Sequence, residues 1–422
     1  MRGIYFLPLL LLSLAQTAQA ADKPLTLSEA LAAADTDHPD LALAESDLAA
    51  SLADRNLANS RQDFNLFLDG SLRAGKQPGA DWEPDNIGRV VARKTLLDFG
   101  RSEQTLAAAD QEVVARRAAL FDTRAARRID LMARFFDVLL ADQQYAADNE
   151  FMTVAYLMWD NARDRFALGQ LTRPQLLELE ARFQDLREQR NASLQRLRST
   201  RQKLANAMSR PGNLPVELAQ PTLPGNEQPL PEYEALLPGI IEHNPALRGL
   251  DAQINASDAR IGAIRAERRP TLDAEVLGAG YSRASSTRDQ VSAGLLFNVP
   301  LYQGGRIDAR AAREQELKSR LLAQREKLKL GLNETVLDTL HEIEWLRSSG
   351  RPAADKQIEY RDWALERSRA EYELEMKTNL GTSLAETQTA LLRQKRIEYR
   401  LALALARLAA LSGELPGSSE IK

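Results

Sequence analysis

The sequence predicts a mainly α-helical chain with transmembrane β-strands, built by duplication of one unit: two strands, a very long helix and a return helix. Three observations predict it. Residues 101–168 are 68 positions without glycine or proline, whereas most globular helices run about 8–20 residues; as one helix they would reach roughly 100 Å. Segments on either side of that stretch alternate apolar and polar residues with period two, the mark of strands. The whole order then returns at an offset of about 206 residues, a period too long for a solenoid and fitting a duplicated domain.

The long stretch has its own pattern. Leu131, Val138, Tyr145, Met152, Trp159 and Phe166 recur every seven residues, Leu106, Val113 and Leu120 form an earlier row, and 11 residues separate Leu120 from Leu131. That spacing is a four-residue stutter, which locally unwinds a left-handed supercoil. The rod is therefore expected to pack against other helices along its whole length.

Composition narrows the class. Charged residues make up 27% and aromatics 6% of the 422 positions, a mixture suited to long solvated helices. The 55 basic and 59 acidic residues nearly balance, at a formal net charge of −4, and no dense basic tract marks a nucleic-acid partner. The chain has no cysteine, which excludes disulfides, thiol catalysis and a lipidated cysteine. Arg2, the apolar run Ile4 to Leu14 and Ala18-Gln19-Ala20 read as a signal peptide over residues 1–20. No other segment has 18 continuous apolar residues, so the exported chain either stays outside lipid or enters it as strands.

The first repeat is expected over residues 21–208. Leu27 to Asp37 reads as a short helix capped by Thr26 or Ser28 and ended by His38-Pro39, and a second helix follows over 40–61. A β-hairpin is expected over 64–97. In its first strand Phe64, Leu66, Leu68, Gly70 and Leu72 oppose Asn65, Asp69, Ser71 and Arg73; in its second, Val90, Ala92 and Leu96 oppose Arg89, Arg93 and Thr95. The long helix occupies 101–168 and a return helix 174–208. Residues 209–232, rich in proline and glycine, read as an extended linker.

The second repeat is expected over 233–413, with a β-hairpin at 271–302, a long helix over 306–374 and a return helix over 383–412; residues 414–422 form a tail. Leu272, Ala274 and Val276 oppose Asp273 and Glu275, and Val291, Ala293, Leu295, Phe297 and Val299 make the cleanest apolar face. Ser348-Ser-Gly350-Arg-Pro352 predicts a kink or break near 348–352.

Strands of about 10 residues match the length needed to cross an outer membrane when tilted. Four cannot close a barrel, and hydrocarbon does not tolerate open edges, so membrane-spanning strands would have to be pooled between chains. Taken singly, each strand favours an ordinary hairpin packed on a soluble core, because the period-two signal is weak in any one segment. The conjunction of export, paired hairpins and very long rods, occurring twice, favours the membrane.

Val299-Pro300-Leu301-Tyr302-Gln303-Gly304-Gly305-Arg306, Asn244-Pro245-Ala246-Leu247, Arg269-Pro270-Thr271-Leu272 and Leu408-Ala-Ala-Leu-Ser-Gly413 resemble motifs of the TolC-like outer-membrane efflux and secretion channels, over nearly all of residues 25–413. The resemblance implies a homotrimer with a 12-stranded β-barrel in outer-membrane lipid and a periplasmic α-helical barrel below it. It further implies docking of a periplasmic adaptor (membrane fusion) protein, itself joined to an inner-membrane pump of RND or ABC type. The tip would comprise Phe166, Gly169, Leu171, Thr172, Tyr372, Lys377, Thr378, Leu380 and Gly381; Gly169 and Thr172 equally read as a helix C-cap and N-cap. Gly100, Arg101, Pro300, Gly304, Gly305 and Arg306 are expected to be structural, at the strand–helix junctions. Asp69, Arg89, Arg93, Asp273 and Glu275 would keep the lumen wet. Glu375 replaces the usual glycine of the second turn, and Gly381 and Leu384 stand where gating relatives carry acids; Glu386 or Glu375 could substitute, or lie on a solvated helix face.

No catalytic fingerprint is present, so no enzyme activity, cofactor or metal is expected. The rival reading is a periplasmic adaptor or coiled-coil scaffold, which would normally carry one helical hairpin rather than two complete strand-strand-helix units.

Overall fold

The computed structural model describes residues 23–36, 38–76, 78–79, 81–212, 217–283, 289–374 and 380–417. The expected leader, Glu375, Lys377 and Thr378 lie outside the described residues. The chain begins with α1 (Leu27–Ala34) and α2 (Pro39–Asn59). Thr26 and Glu29 cap α1 reciprocally: the Glu29 N–H donates to the Thr26 hydroxyl at 3.2 Å, and the Thr26 N–H donates to the Glu29 carboxylate at 2.9 Å. His38 caps α2, its Nδ1 accepting from the Asp40 N–H at 3.2 Å, with Pro39 opening the helix.

Strands β1 (Asn65–Ser71) and β4 (Ile87–Leu97) flank a small hairpin of β2 (Ala74–Gly75) and β3 (Glu83–Pro84). Next come α3 (Arg101–Ala167) and α4 (Arg173–Ala207), then α5 (Tyr233–His243) and α6 (Pro245–Ala266). Strands β5 (Thr271–Tyr281) and β6 (Val291–Asn298) lead into α7 (Arg306–Trp345), α8 (Arg351–Glu373) and α9 (Leu380–Leu411).

The two hairpins do not stand apart. They join through β4 and β5 into one four-stranded antiparallel sheet, in the order β1-β4-β5-β6, with Arg93 opposite Glu275 across the repeat boundary. β1 and β6 form its edges. One register detail departs from the sequence reading. Thr95 faces Asp273 but Leu97 faces Leu272, so Leu96 is the extra residue of a bulge and Leu97 takes the apolar place expected for Leu96.

α3 is the shared wall. α2 and α4 line one side of it, towards the strand end and the turn end respectively, and α6 and α9 line the other. α7 packs on α6 and α8 on α9, giving arcs of four helices: α2-α3-α6-α7 and α4-α3-α9-α8. Midway, Leu131, Met132, Phe135 and Phe136 of α3 close with Leu27, Leu31, Leu204 and Tyr399 into the main core. The rings of Phe136 and Tyr399 stack at 4.4 Å. Arg127, 9% exposed, donates to the carbonyls of Ala34 at 3.1 Å and Ala207 at 3.3 Å. One buried guanidinium thus serves the negative ends of α1 and α4, where a cation is favoured.

Where a kink or break is expected near 348–352, a π turn at Leu346–Gly350 carries α7 into α8. The Arg351 N–H bonds the carbonyl of Leu346, five residues back. This wider turn accommodates Pro352, which lacks an N–H and would crowd an α-helical carbonyl. Nor is the linker simply extended. A 3₁₀ turn at Pro224–Glu227 docks on the π turn, where Arg347 donates to the carbonyls of Asn226 at 3.0 Å and Gln228 at 2.6 Å. Asn226, 2% exposed, donates to Glu398 at 2.7 Å, and Glu398 also receives Arg351 at 2.6 Å and 2.7 Å. Burial would raise the Glu398 carboxyl, but these donors outweigh it and hold it below the usual range.

Half-buried Asp122 on α3 shows the opposite balance: burial pushes its carboxyl up to about 6. The folded chain therefore keeps a proton that the unfolded chain releases at about pH 4, and stability falls as pH rises from there to about 6, then levels. Asp122→Asn is expected to raise the thermal midpoint at pH 7.5, with the difference from the parent closing at about pH 4. Melting curves of both proteins at the two pH values check this.

Candidate functional site

The sheet has two unlike faces. Leu66, Leu68, Val90, Val276, Val291, Leu295 and Phe297 share one, which lies open: Leu68 is 78%, Val291 74% and Phe297 66% exposed. The other face gathers the five residues that alternation assigned to water. Asp69 pairs with Arg89, the Arg93 Nε donates to Glu275 at 3.0 Å, and the Thr95 hydroxyl donates to Asp273 at 2.7 Å. That face is not wholly polar, because Phe67 and the buried Val91 lie on it; the Arg93 guanidinium sits 6.0 Å from the Phe67 ring centre. One cation, Lys94, falls on the apolar face near the helices, where a long stem lets its ammonium reach polar surroundings.

At both strand-to-helix junctions the chain turns through two successive left-handed residues. Phe99 and Gly100 have φ of 53° and 88°, and Gly304 and Gly305 have φ of 61° and 68°. Glycine adopts this region at little cost, whereas Phe99 does so under strain. Asp98 supports the first turn, accepting from the Ser102 N–H at 2.8 Å and the Gly100 N–H at 3.2 Å. Arg269 donates to the Phe99 carbonyl at 3.0 Å. Pro300, too, lies in the segment that leads into the second turn.

The residue that ties these junctions together was not singled out from the sequence. Glu267, at the end of α6, keeps a carboxylate only 11% exposed. It receives Arg310 at 2.9 Å and 2.8 Å, with Arg101 at 3.6 Å and Arg306 at 3.8 Å. One anion thus meets arginines from the first turns of both long helices. A signal was available: at the repeat offset of 206, Glu267 corresponds to Arg61. The charge reversal breaks the duplication where the two junctions share a counterion.

At the other end, Gly169 (φ 72°) closes α3 in a paired arrangement. Its N–H bonds the Phe166 carbonyl at 2.9 Å, and the Gln170 N–H reaches back to the Arg165 carbonyl at 2.9 Å. Thr172 opens α4 with Gln175, which accepts from the Thr172 N–H at 2.9 Å. Phe166 and Leu168 are left exposed at 39% and 73%, beside half-buried Leu171. On the second hairpin Tyr372 is exposed, while Leu380 and Gly381 begin α9. Gly381 lies against Val154 of α3, thirteen residues before Ala167, so α3 runs about 20 Å beyond the start of α9. Glu386 is not a free acid, since it pairs with Arg361 between α9 and α8.

Residues 236–414, most of the second repeat, match the family model described as outer membrane efflux protein. Over that stretch the chain is similar to the outer membrane efflux protein family. Among curated relatives, the outer membrane efflux protein BepC of Brucella suis is 22% identical over 275 residues, 63% of this chain and 58% of BepC; the chain thus spans under two thirds of that relative's length. The fold is that of solved outer-membrane channels. The outer membrane protein VceC of Vibrio cholerae superposes with a TM-score of 0.73 at 17% identity, covering 92% of this chain and 96% of VceC. The outer membrane channel MtrE of Neisseria gonorrhoeae, solved in its open state, gives 0.73 at 16% identity, covering 92% and 89%.

Replacing Glu267 by Ala is expected to cost about 1–3 kcal/mol, the scale of lost charge-assisted hydrogen bonds between partly solvated partners. A lower melting temperature of the purified protein, with Arg61→Ala causing a smaller change, checks the assignment.

Proposed function

We propose that three copies of this chain form a passive exit duct in the outer membrane that extends into the periplasm. The observation that carries this reading is the sheet: four strands, two unpaired edges, one exposed apolar face and one ion-paired face. β1 and β6 run antiparallel to each other within the sheet. Pairing β6 of one copy with β1 of the next therefore preserves the alternation, and three copies supply twelve strands, an even number as such barrels use. The apolar face meets lipid. Asp69, Arg89, Arg93, Asp273 and Glu275 line the water-filled bore. The arcs of four helices continue the wall below.

The turn Phe166–Thr172, with Tyr372, Leu380 and Gly381, is the proposed docking end for a periplasmic adaptor protein, which joins the duct to an inner-membrane pump of RND or ABC type. The pump supplies energy, and the partner opens the duct by contacting the open state better than the closed one. A periplasmic adaptor or scaffold suits the structure less well, because pairing of β4 with β5 fuses both hairpins into one sheet with a bare apolar face.

Fractionation of cells producing the chain is expected to place it in the outer membrane, and unheated gels to show a three-chain species. A single subunit, monodisperse in detergent-free buffer, would overturn the duct. Leu68→Arg puts a cation on the lipid face at a cost of about 2–4 kcal/mol near the midplane and is expected to deplete assembled protein. Arg89→Gln, on the bore side, is expected to leave assembly near the parent level.

A further inference from the structure

The α8/α9 hairpin is stitched internally by polar side chains. Arg361 pairs with Glu386, the hydroxyls of Ser368 and Ser383 lie 2.6 Å apart, Gln394 donates to Asp355 at 2.9 Å, and Arg351 holds Glu398 at 2.6 Å. Its seam with α3 is different in kind. Among the described residues no hydrogen bond or ion pair joins α9 to α3. The seam consists of the Phe136–Tyr399 stack and of small buried residues such as Ala402 and Ala406, which pack into the same core as Leu131, Met132 and Phe135 of α3. The bonds that tie the hairpin to the rest of the chain, such as Asn226 to Glu398, lie far from its turn, so the turn end can tilt from α3 without breaking a polar bond between α9 and α3.

At the turn end that seam closes on Gly381. A β-carbon added there would lie 2.6 Å from Cγ2 of Val154, and the next atom, Val154 Cβ, is 3.9 Å away. Carbon–carbon contact is optimal at about 3.5–4.0 Å, so the conflict is a single methyl group about 1 Å too close. Two other glycines approach α3 closely: Gly249, at 3.3 Å from Ala118 Cβ, and Gly262, at 3.0 Å from Gln104 Oε1. Both belong to α6, which the Arg260–Glu112 ion pair also secures to α3.

We propose that Gly381 is a positioning residue that sets the bore of the duct at its turn end. Its missing β-carbon lets the α8/α9 hairpin seat on Val154, and a side chain there pushes the hairpin away from α3. Because α3 and the hairpin are neighbours in the wall, separating them lengthens the circumference in all three copies. This inference rests on the duct reading. It assigns the narrowing to steric seating of one helix on another rather than to a ring of charged side chains.

The test compares single-channel conductance in planar lipid bilayers for the assembled parent protein, Gly381→Ala, Val154→Ala and the double variant, with unheated gels to verify assembly. Gly381→Ala is expected to raise conductance several-fold, and Val154→Ala in the same chain to return it to the parent value by vacating the Cγ2 position. Val154→Ala alone lets the hairpin seat more deeply and lowers conductance. An assembled Gly381→Ala protein with parent conductance overturns the proposal, as does an increase that Val154→Ala fails to reverse. If Gly381→Ala does not assemble, Val154→Ala decides alone: lower conductance supports the seat, and unchanged conductance overturns it. A parent protein that assembles but passes no ion current would instead overturn the duct itself.

Discussion

Backbone hydrogen bonding at the two edges of the sheet is the constraint on which the rest depends. β1 and β6 expose a row of N–H and C=O groups on one side each, and their outward side chains are those of a surface that avoids water. In hydrocarbon every such group must be paired, so only a closed ring of strands satisfies this sheet. A single chain holds too few strands to close one. Duplication supplies two hairpins, their pairing through β4 and β5 makes one larger piece of wall, and in the duct proposed above further copies of the chain complete it. The long helices inherit the same geometry, because each strand pair hands the chain to a helix through a fixed left-handed turn.

That inheritance needs the junctions to be rigid. Two successive left-handed residues at each junction set the angle between strand and helix, and Glu267 clamps the arginines beside both turns. The duplication is therefore not quite symmetric. One repeat provides the anion, and the other has Arg61 at the matching place. A second asymmetry lies midway along the rods. α3 passes unbroken, whereas α7 and α8 are joined by a π turn that the linker between the repeats clasps through Asn226, Arg347, Arg351 and Glu398. The chain crossing between halves is thus part of the wall's support.

Features controlled by local periodicity were readable in advance. Leu131 and Val138 of the seven-residue row are buried, and Asp69, Arg89, Arg93, Asp273 and Glu275 share a face because side chains alternate along a strand whatever it pairs with. Features that depend on two distant segments were not. The bulge at Leu96 arises from how β4 meets β5, a pairing between repeats. Ser348 to Pro352 signals disturbance of a helix, but absorbing it in a π turn rather than a break depends on the linker and α9 packed alongside. Gly381 carries no signal in its own neighbourhood, since its use is visible only against Val154, more than two hundred positions earlier.

By itself the amino-acid order determined the duplicated unit, its long rods and its two-faced strands, because periodicity and chain-local sterics act within a few residues. Tertiary structure alone decided which strands join the repeats, which carboxylate gathers the junction arginines, and how far α3 runs beyond the start of α9. These are distances between segments remote in sequence, set by how helices seat on one another, and no local pattern of side chains specifies them.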